Sequence, residues 1–166
     1  MTTSIEVHGL GKRFGDFEAV KNVSFDVAPG EIFGYLGANG AGKSTTIRIL
    51  CGLMTPSAGR AVVAGHDVAK QPDRVRMSIG YMSQKFSLYP DLSVLENMDF
   101  FGGAYRLPRA RRLTRARALL EEVELSDATE VLVRDLPGGK RQRLALATAL
   151  LHEPSIVFLD EPTAGV

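Results

Sequence analysis

The chain has 166 residues, 45% of them hydrophobic and 23% charged, the balance of an ordinary globular protein with one sizeable core. A formal net charge of +1 provides no global field for nucleic acid or an anionic membrane, and a single cysteine, Cys51, excludes an intrachain disulfide. No apolar run approaches the ~18 residues of a membrane span and Met1 to Glu6 is no signal peptide, which predicts a cytoplasmic protein that meets membranes only through a partner.

Ile5-Glu6-Val7-His8 and Val23-Ser24-Phe25-Asp26-Val27 alternate apolar and polar residues, so half-buried antiparallel strands are expected there. Ala28-Pro29-Gly30-Glu31 reads as a turn, and Ile32-Phe33-Gly34-Tyr35-Leu36 as a buried strand. Next comes Gly37-Ala38-Asn39-Gly40-Ala41-Gly42-Lys43-Ser44, which matches the phosphate-binding pattern G-x-x-x-x-G-K-[ST], with a helix opening at Thr45 to Leu50. A polyphosphate concentrates negative charge, so it needs many donors at close range and little side-chain bulk. Glycines let successive N–H groups turn inward, and the helix N-terminus adds partial positive charge. In this pattern Lys43 reaches the β- and γ-phosphates and the Ser44 hydroxyl ligates Mg²⁺. Cys51 follows Ile47, Ile49 and Leu50 and reads as a small core residue. Met54 to Gly59 ends the helix, Arg60 to Ala64 makes a strand, and Ser78 to Met82 a short strand running into Ser83-Gln84.

Past Gln84 the pattern becomes helical. Ser93-Val94-Leu95-Glu96 fits a capping box opening a helix to about Gly102. From about Pro108 to Val123, Leu113, Ala116, Leu119, Leu120 and Val123 form one stripe, and a third helix near Gly138 carries Leu144, Leu146, Ala147, Leu150 and Leu151. Ser155 to Asp160 then reads as a fully buried strand. The order predicts an α/β core interrupted by a helical subdomain of about residues 86–152. Asp160-Glu161, after four apolar residues, suits a carboxylate at a strand end holding Mg²⁺ through water, with Glu161 facing the γ-phosphate as base or orienter of the attacking water. The basic run Arg106, Arg109, Arg111, Arg112, Arg115 and Arg117 has few aromatics and is followed by Glu121, Glu122 and Glu124, so a solvated helix face is expected rather than a nucleic-acid surface. His8, His66 and His152 are isolated and lack metal-ligand spacing.

With these segments in order, the chain resembles the nucleotide-binding domain of ATP-binding cassette (ABC) proteins. The carrying residues are Gly37 to Thr45, Gln84, Leu136-Pro137-Gly138-Gly139-Lys140-Arg141-Gln142-Arg143 and Phe158 to Gly165. The segment Ser83 to Tyr89 and the altered signature look most like ATPase subunits of bacterial multidrug-efflux ABC transporters. The resemblance implies an α/β P-loop NTPase core (1–85 and 153–166) with an N-terminal antiparallel β-subdomain and an inserted helical subdomain (86–152). It implies ATP and Mg²⁺ as cofactors: Phe14 stacking on adenine with Val20 nearby, and Gly37, Ala38, Asn39, Gly40, Ala41, Gly42, Lys43, Ser44 and Thr45 around the phosphates. Ser44, Gln84 and Asp160 serve the metal, while Gln84 and Glu161 serve the attacking water. In the family the signature loop, here Pro137, Gly138, Gly139 and Lys140, closes over the ATP of a second, head-to-tail domain.

Two departures stand out. Pro137 replaces the usual serine and Lys140 the usual glutamine. Proline has neither hydroxyl nor N–H, so one charge-assisted γ-phosphate contact of about 1.5–3 kcal/mol is lost. The resemblance further implies membrane permease subunits as partners, a peripheral place on the inner face of the cell membrane, and ATP-driven export. A non-transport ABC ATPase and a nucleotide-binding module without turnover are the alternatives. Family members continue past Thr163-Ala164-Gly165-Val166 with another strand, a γ-phosphate histidine and further helices, so the C-terminal part of the sheet is expected to be missing from this chain and its hydrolysis to be weak.

Overall fold

The computed structural model describes residues 3–38, 40–83 and 88–160. The chain forms two compact units, Met1–Ile79 and Gly80–Val166. In the first, β1 (Ile5–Phe14) and β2 (Phe17–Val27) pair antiparallel from Ile5↔Val27 to Phe14↔Phe17. They extend the two strands expected from alternation into one long hairpin. β3 (Ala58–Val63) pairs antiparallel with β1, and the two-residue β4 (His66–Asp67) closes the order β2-β1-β3-β4. Helix α1 (Lys43–Leu50) packs on β2 and β3, burying Thr46, Ile49 and Leu50, and Cys51 just beyond it is 1% exposed, a core residue as expected. Val7, Leu10, Val20 and Val63 of the sheet are buried as well.

The buried strand expected over Ile32 to Leu36 does not form. Ile32 is 100% and Leu36 92% exposed, and the segment has no regular structure. A strand exists only through pairing, and among the described residues no strand pairs with this one. Its alternation survives in part. Phe33 and Tyr35 turn toward Phe25 of β2, with ring centroids 4.9 and 5.6 Å away, while Ile32 and Leu36 point outward. The unit also contains α2 (Pro72–Ser78), a short helix absent from the sequence reading; Val75 is its one buried residue, and Arg76 donates to the Gly52 carbonyl at 2.6 Å.

In the second unit α3 (Val94–Ala104), α4 (Arg109–Glu122) and α5 (Gly138–Leu150) pack on one another. Short 3-10 turns at Ser126–Ala128 and Val133–Asp135 join α4 to α5. Their shared core holds Val94, Met98, Leu119, Leu120, Leu144 and Leu151. At about 1.5–3 kcal/mol for each large apolar side chain, this cluster is the main source of the unit's stability. The capping box is formed: Ser93 Oγ accepts the Glu96 N–H at 3.2 Å, and Glu96 accepts the Ser93 N–H at 2.7 Å. Asn97, fully buried, accepts the Tyr89 N–H at 2.9 Å and shares its amide protons among the carbonyls of Tyr89, Leu92 and Ser93.

β5 (Ile79–Met82) and β6 (Ile156–Leu159) form a two-stranded sheet. β6 is not fully buried as its composition predicts. Its exposure alternates, with Val157 at 38% and Leu159 at 43%, because successive side chains point to opposite faces of the sheet and the described residues cover one face better than the other. The arginine run is largely solvated, as expected: Arg106, Arg109, Arg111 and Arg117 are exposed, and only Arg112 and Arg115 are half-buried. Arg112 donates to Asp99 of α3 at 2.6 Å and covers Gly102 and Gly103, and Arg111 and Arg115 pair with Glu153. These arginines tie α4 to its neighbours.

Candidate nucleotide-binding site

The phosphate loop lies in the first unit and is built by the chain geometry at its exit. Gly42 adopts φ 79°, a left-handed conformation, and is the N-cap of α1. A Cβ there would lie 2.1 Å from the Ala19 carbonyl oxygen, so only glycine lets the helix start this close to β2. Val20, 2% exposed, packs directly beneath, its Cγ2 within 3.1 Å of that hypothetical Cβ. Val20 is therefore a floor under the loop rather than an open contact surface. The Thr46 N–H donates to the Gly42 carbonyl at 2.8 Å, and the Ala41 N–H to Ala38 at 3.1 Å, which closes the turn. Asn39 lies outside the described residues.

The first turn of α1 has no side-chain cap and no acidic residue. A helix start of this kind directs N–H groups outward with nothing of its own sequence competing for the dipole, the electrostatics an anion needs. Gly37, Ala38, Gly40 and Ala41 are exposed, and Gly42, Lys43, Ser44 and Thr45 half-buried. Lys43 curls back along the loop, its Nζ donating to the carbonyls of Gly37 at 2.6 Å and Ala38 at 2.8 Å. Backbone donors, the Ser44 hydroxyl and an ammonium are thus gathered on one loop. That donor set suits a polyphosphate.

Phe14 ends β1 at the hairpin tip with 48% of its surface exposed, as a base platform requires. It lies two residues along β1 from Lys12, the cross-strand partner of Val20. The Lys12 ammonium stands over the Phe14 ring, 5.3 Å from its centroid, and donates to the Thr55 carbonyl at 2.7 Å. Sequence reading missed Lys12; its alternation with Phe14 on one strand face was the available signal.

The remaining site residues belong to the second unit. Pro137 is the N-cap of α5 with φ −57°, and Gly138 and Gly139 form the first helical positions, again with no acid in the first turn. The Lys140 ammonium lies 3.4 Å from Asp127, a partner not anticipated from sequence. Asp160, 5% exposed, follows β6, and its N–H donates to the Met82 carbonyl at 2.9 Å. Gln84 and Glu161 lie outside the described residues. Among the described residues no three His, Cys, Asp or Glu side chains cluster as a metal centre. The Ser44 hydroxyl in the first unit and the Asp160 carboxylate in the second are each, taken singly, a hard oxygen donor of the kind Mg²⁺ accepts. His152 stacks flat on Tyr105 at 3.5 Å between ring centroids. No described helix is long and apolar enough to cross a membrane.

The ABC transporter family profile matches residues 20–164. The chain is 48% identical over 164 residues to the probable multidrug ABC transporter ATP-binding protein YbhF of Escherichia coli (strain K12), covering 99% of this chain and 28% of that protein. To the daunorubicin resistance ATP-binding protein DrrA3 of Streptomyces coeruleorubidus it is 43% identical over 164 residues, covering 99% and 52%. Among solved structures it is similar to the ATP-binding cassette MJ0796, a dimer in a post-hydrolysis state bound to ADP and Pi, with a TM-score of 0.87, 29% identity and coverage of 98% and 75%. The chain therefore spans between about a quarter and half of the length of these curated relatives.

Proposed function

The chain belongs to the ABC transporter family, and from that premise we propose that it is the ATP-binding and ATP-hydrolysing portion of an exporter. Its fold is the α/β ABC ATPase fold. The observation that carries the reading is the phosphate loop: an uncapped, acid-free helix start behind Gly42, with Lys43 aimed along the loop backbone. In this proposal the loop N–H groups and Lys43 bind the β- and γ-phosphates, and Phe14 supports adenine. Ser44, Asp160 and Gln84 hold Mg²⁺, which supplies charge neutralisation across the phosphate oxygens. Glu161 accepts a proton from the attacking water, which Gln84 helps to orient.

The domain assignment follows the same reading: 1–85 with 153–166 as the ATP-binding core, and 86–152 as the helical subdomain that presents Pro137 to Lys140. A second cassette, identical or related, supplies its own signature to this site. Closure of the pair on ATP moves separate permease subunits at the inner face of the membrane. Export of a drug-like substrate is supported by the names of the relatives, multidrug transport for one and daunorubicin resistance for another. Lys43→Ala tests the core of the proposal. It removes the ammonium while leaving the backbone donors, and binding of a fluorescent ATP analogue should disappear. Affinity retained within about twofold would sink the assignment.

A further inference from the structure

The base platform in this unit is not a lone aromatic. Phe14 sits at a hairpin tip joined by only a two-residue turn, and half its surface is exposed. A phenyl ring in that position has no hydroxyl to fix it and would sample several rotamers. Lys12 restricts that freedom. The residue is half-buried, and its Nζ donates to the Thr55 carbonyl at 2.7 Å and stands over the Phe14 ring, 5.3 Å from the centroid.

The anchor itself is well fixed. The Ser57 N–H donates to the Gly11 carbonyl at 2.8 Å, and the Arg13 N–H to Ser57 Oγ at 3.1 Å. Three hydrogen bonds thus sew the end of β1 to residues 55–57, which continue the chain from the C-terminus of α1. The N-terminus of that same helix carries the phosphate loop. Lys12 therefore connects the ring to the element that sets the phosphate position.

Resting on the reading of Phe14 as the adenine platform, we propose that Lys12 is a positioning residue for nucleotide binding: it clamps one face of Phe14 and leaves the opposite face for the base. An ammonium and a purine cannot occupy one ring face together. The side on which Lys12 stands therefore decides the side on which adenine stacks, at a spacing from the phosphate loop set by the Thr55 anchor. Lys12 acts on the base alone; the phosphates have Lys43.

That division gives the experiment, isothermal titration of the full chain with ATP and, separately, with inorganic tripolyphosphate, which has no base. Lys12→Met keeps the stem and removes the charge. It should weaken ATP binding by about 2- to 5-fold, the range of an exposed to half-buried cation–π contact, and leave tripolyphosphate unchanged. Lys12→Arg should restore ATP affinity, and in a Phe14→Leu background Lys12→Met should have no further effect. Equal losses for ATP and tripolyphosphate would overturn the proposal, because Lys12 would then serve the phosphates or the fold. An unaltered ATP affinity in Lys12→Met overturns it as well. Unchanged ATP affinity in Phe14→Leu alone would instead remove the adenine platform, and Lys12 with it.

Discussion

Replacing Gly42 by alanine should disable the phosphate loop and replacing Gly40 should not, although the two glycines share nearly the same φ, 79° and 80°. For an L-residue that conformation costs about 1–2 kcal/mol, and both variants carry this penalty. Space separates them. A Cβ on Gly40 would meet nothing within 4 Å, whereas one on Gly42 would press on the Ala19 carbonyl oxygen at 2.1 Å. Real Cβ atoms essentially never approach closer than 3.0 Å, so about 0.9 Å of backbone must give, the difference of those two distances. β2 is held in register along β1, so the first turn of α1 is the part that yields and carries the loop with it. Overpacking against backbone adds about 1–3 kcal/mol, which brings Gly42→Ala to about 2–5 kcal/mol against about 1–2 for Gly40→Ala. Urea unfolding followed by circular dichroism measures both costs, and titration with a fluorescent ATP analogue measures the loop. Gly42→Ala should lose binding by about tenfold or more, since a loop displaced by nearly an ångström no longer aims its donors. Unfolding free energies for the two variants that agree within about 0.5 kcal/mol would refute the steric argument.

Asn97→Leu should destabilise the helical core by about 1–3 kcal/mol, because it leaves the Tyr89 N–H and three carbonyls without the amide that serves them; chemical denaturation checks this. Arg112→Ala should cost more than an exposed ion pair, about 1–2 kcal/mol, since it strips the stem from Gly102 and Gly103 as well as the charge from Asp99. Arg112→Met should recover the packing share of that loss, and an equal loss in both variants would assign the whole effect to the charge.

What the sequence made legible was local. The phosphate loop and α1 follow from glycines, a lysine and a helix start within nine residues of chain, and the capping box at Ser93 and Glu96 needs only four. The outer ends of the hairpin, Ile5 to His8 and Val23 to Val27, were legible from alternation, but its inner part and its two-residue turn were not. Ile32 to Leu36 was misread. Five mostly apolar residues state a preference for burial but do not supply the neighbour that satisfies it, and β6 falls short in the same way. α2 escaped because one buried side chain, Val75, gives no periodicity to detect. Asn97 was hidden by its polarity, although its place between Val94 and Met98 on a buried helix face was a signal. The arginine run showed its composition but not its partners, since Asp99 and Glu153 are far away in sequence. Asp127 was missed on the same ground, and so was the Thr55 anchor of Lys12, although the pairing of Lys12 with Phe14 was within local reach.

The ammonium of Lys43 has three protons to give, and two of them are engaged by the carbonyls of Gly37 and Ala38. A polyphosphate meets this loop as a competitor rather than as a guest at an idle donor. Every bond it gains from Lys43 beyond the first displaces one the loop already makes to itself, so the net gain is a difference between two sets of contacts. Counting phosphate contacts to this ammonium therefore overstates what it adds to affinity, since two of its three protons already have acceptors in the loop itself.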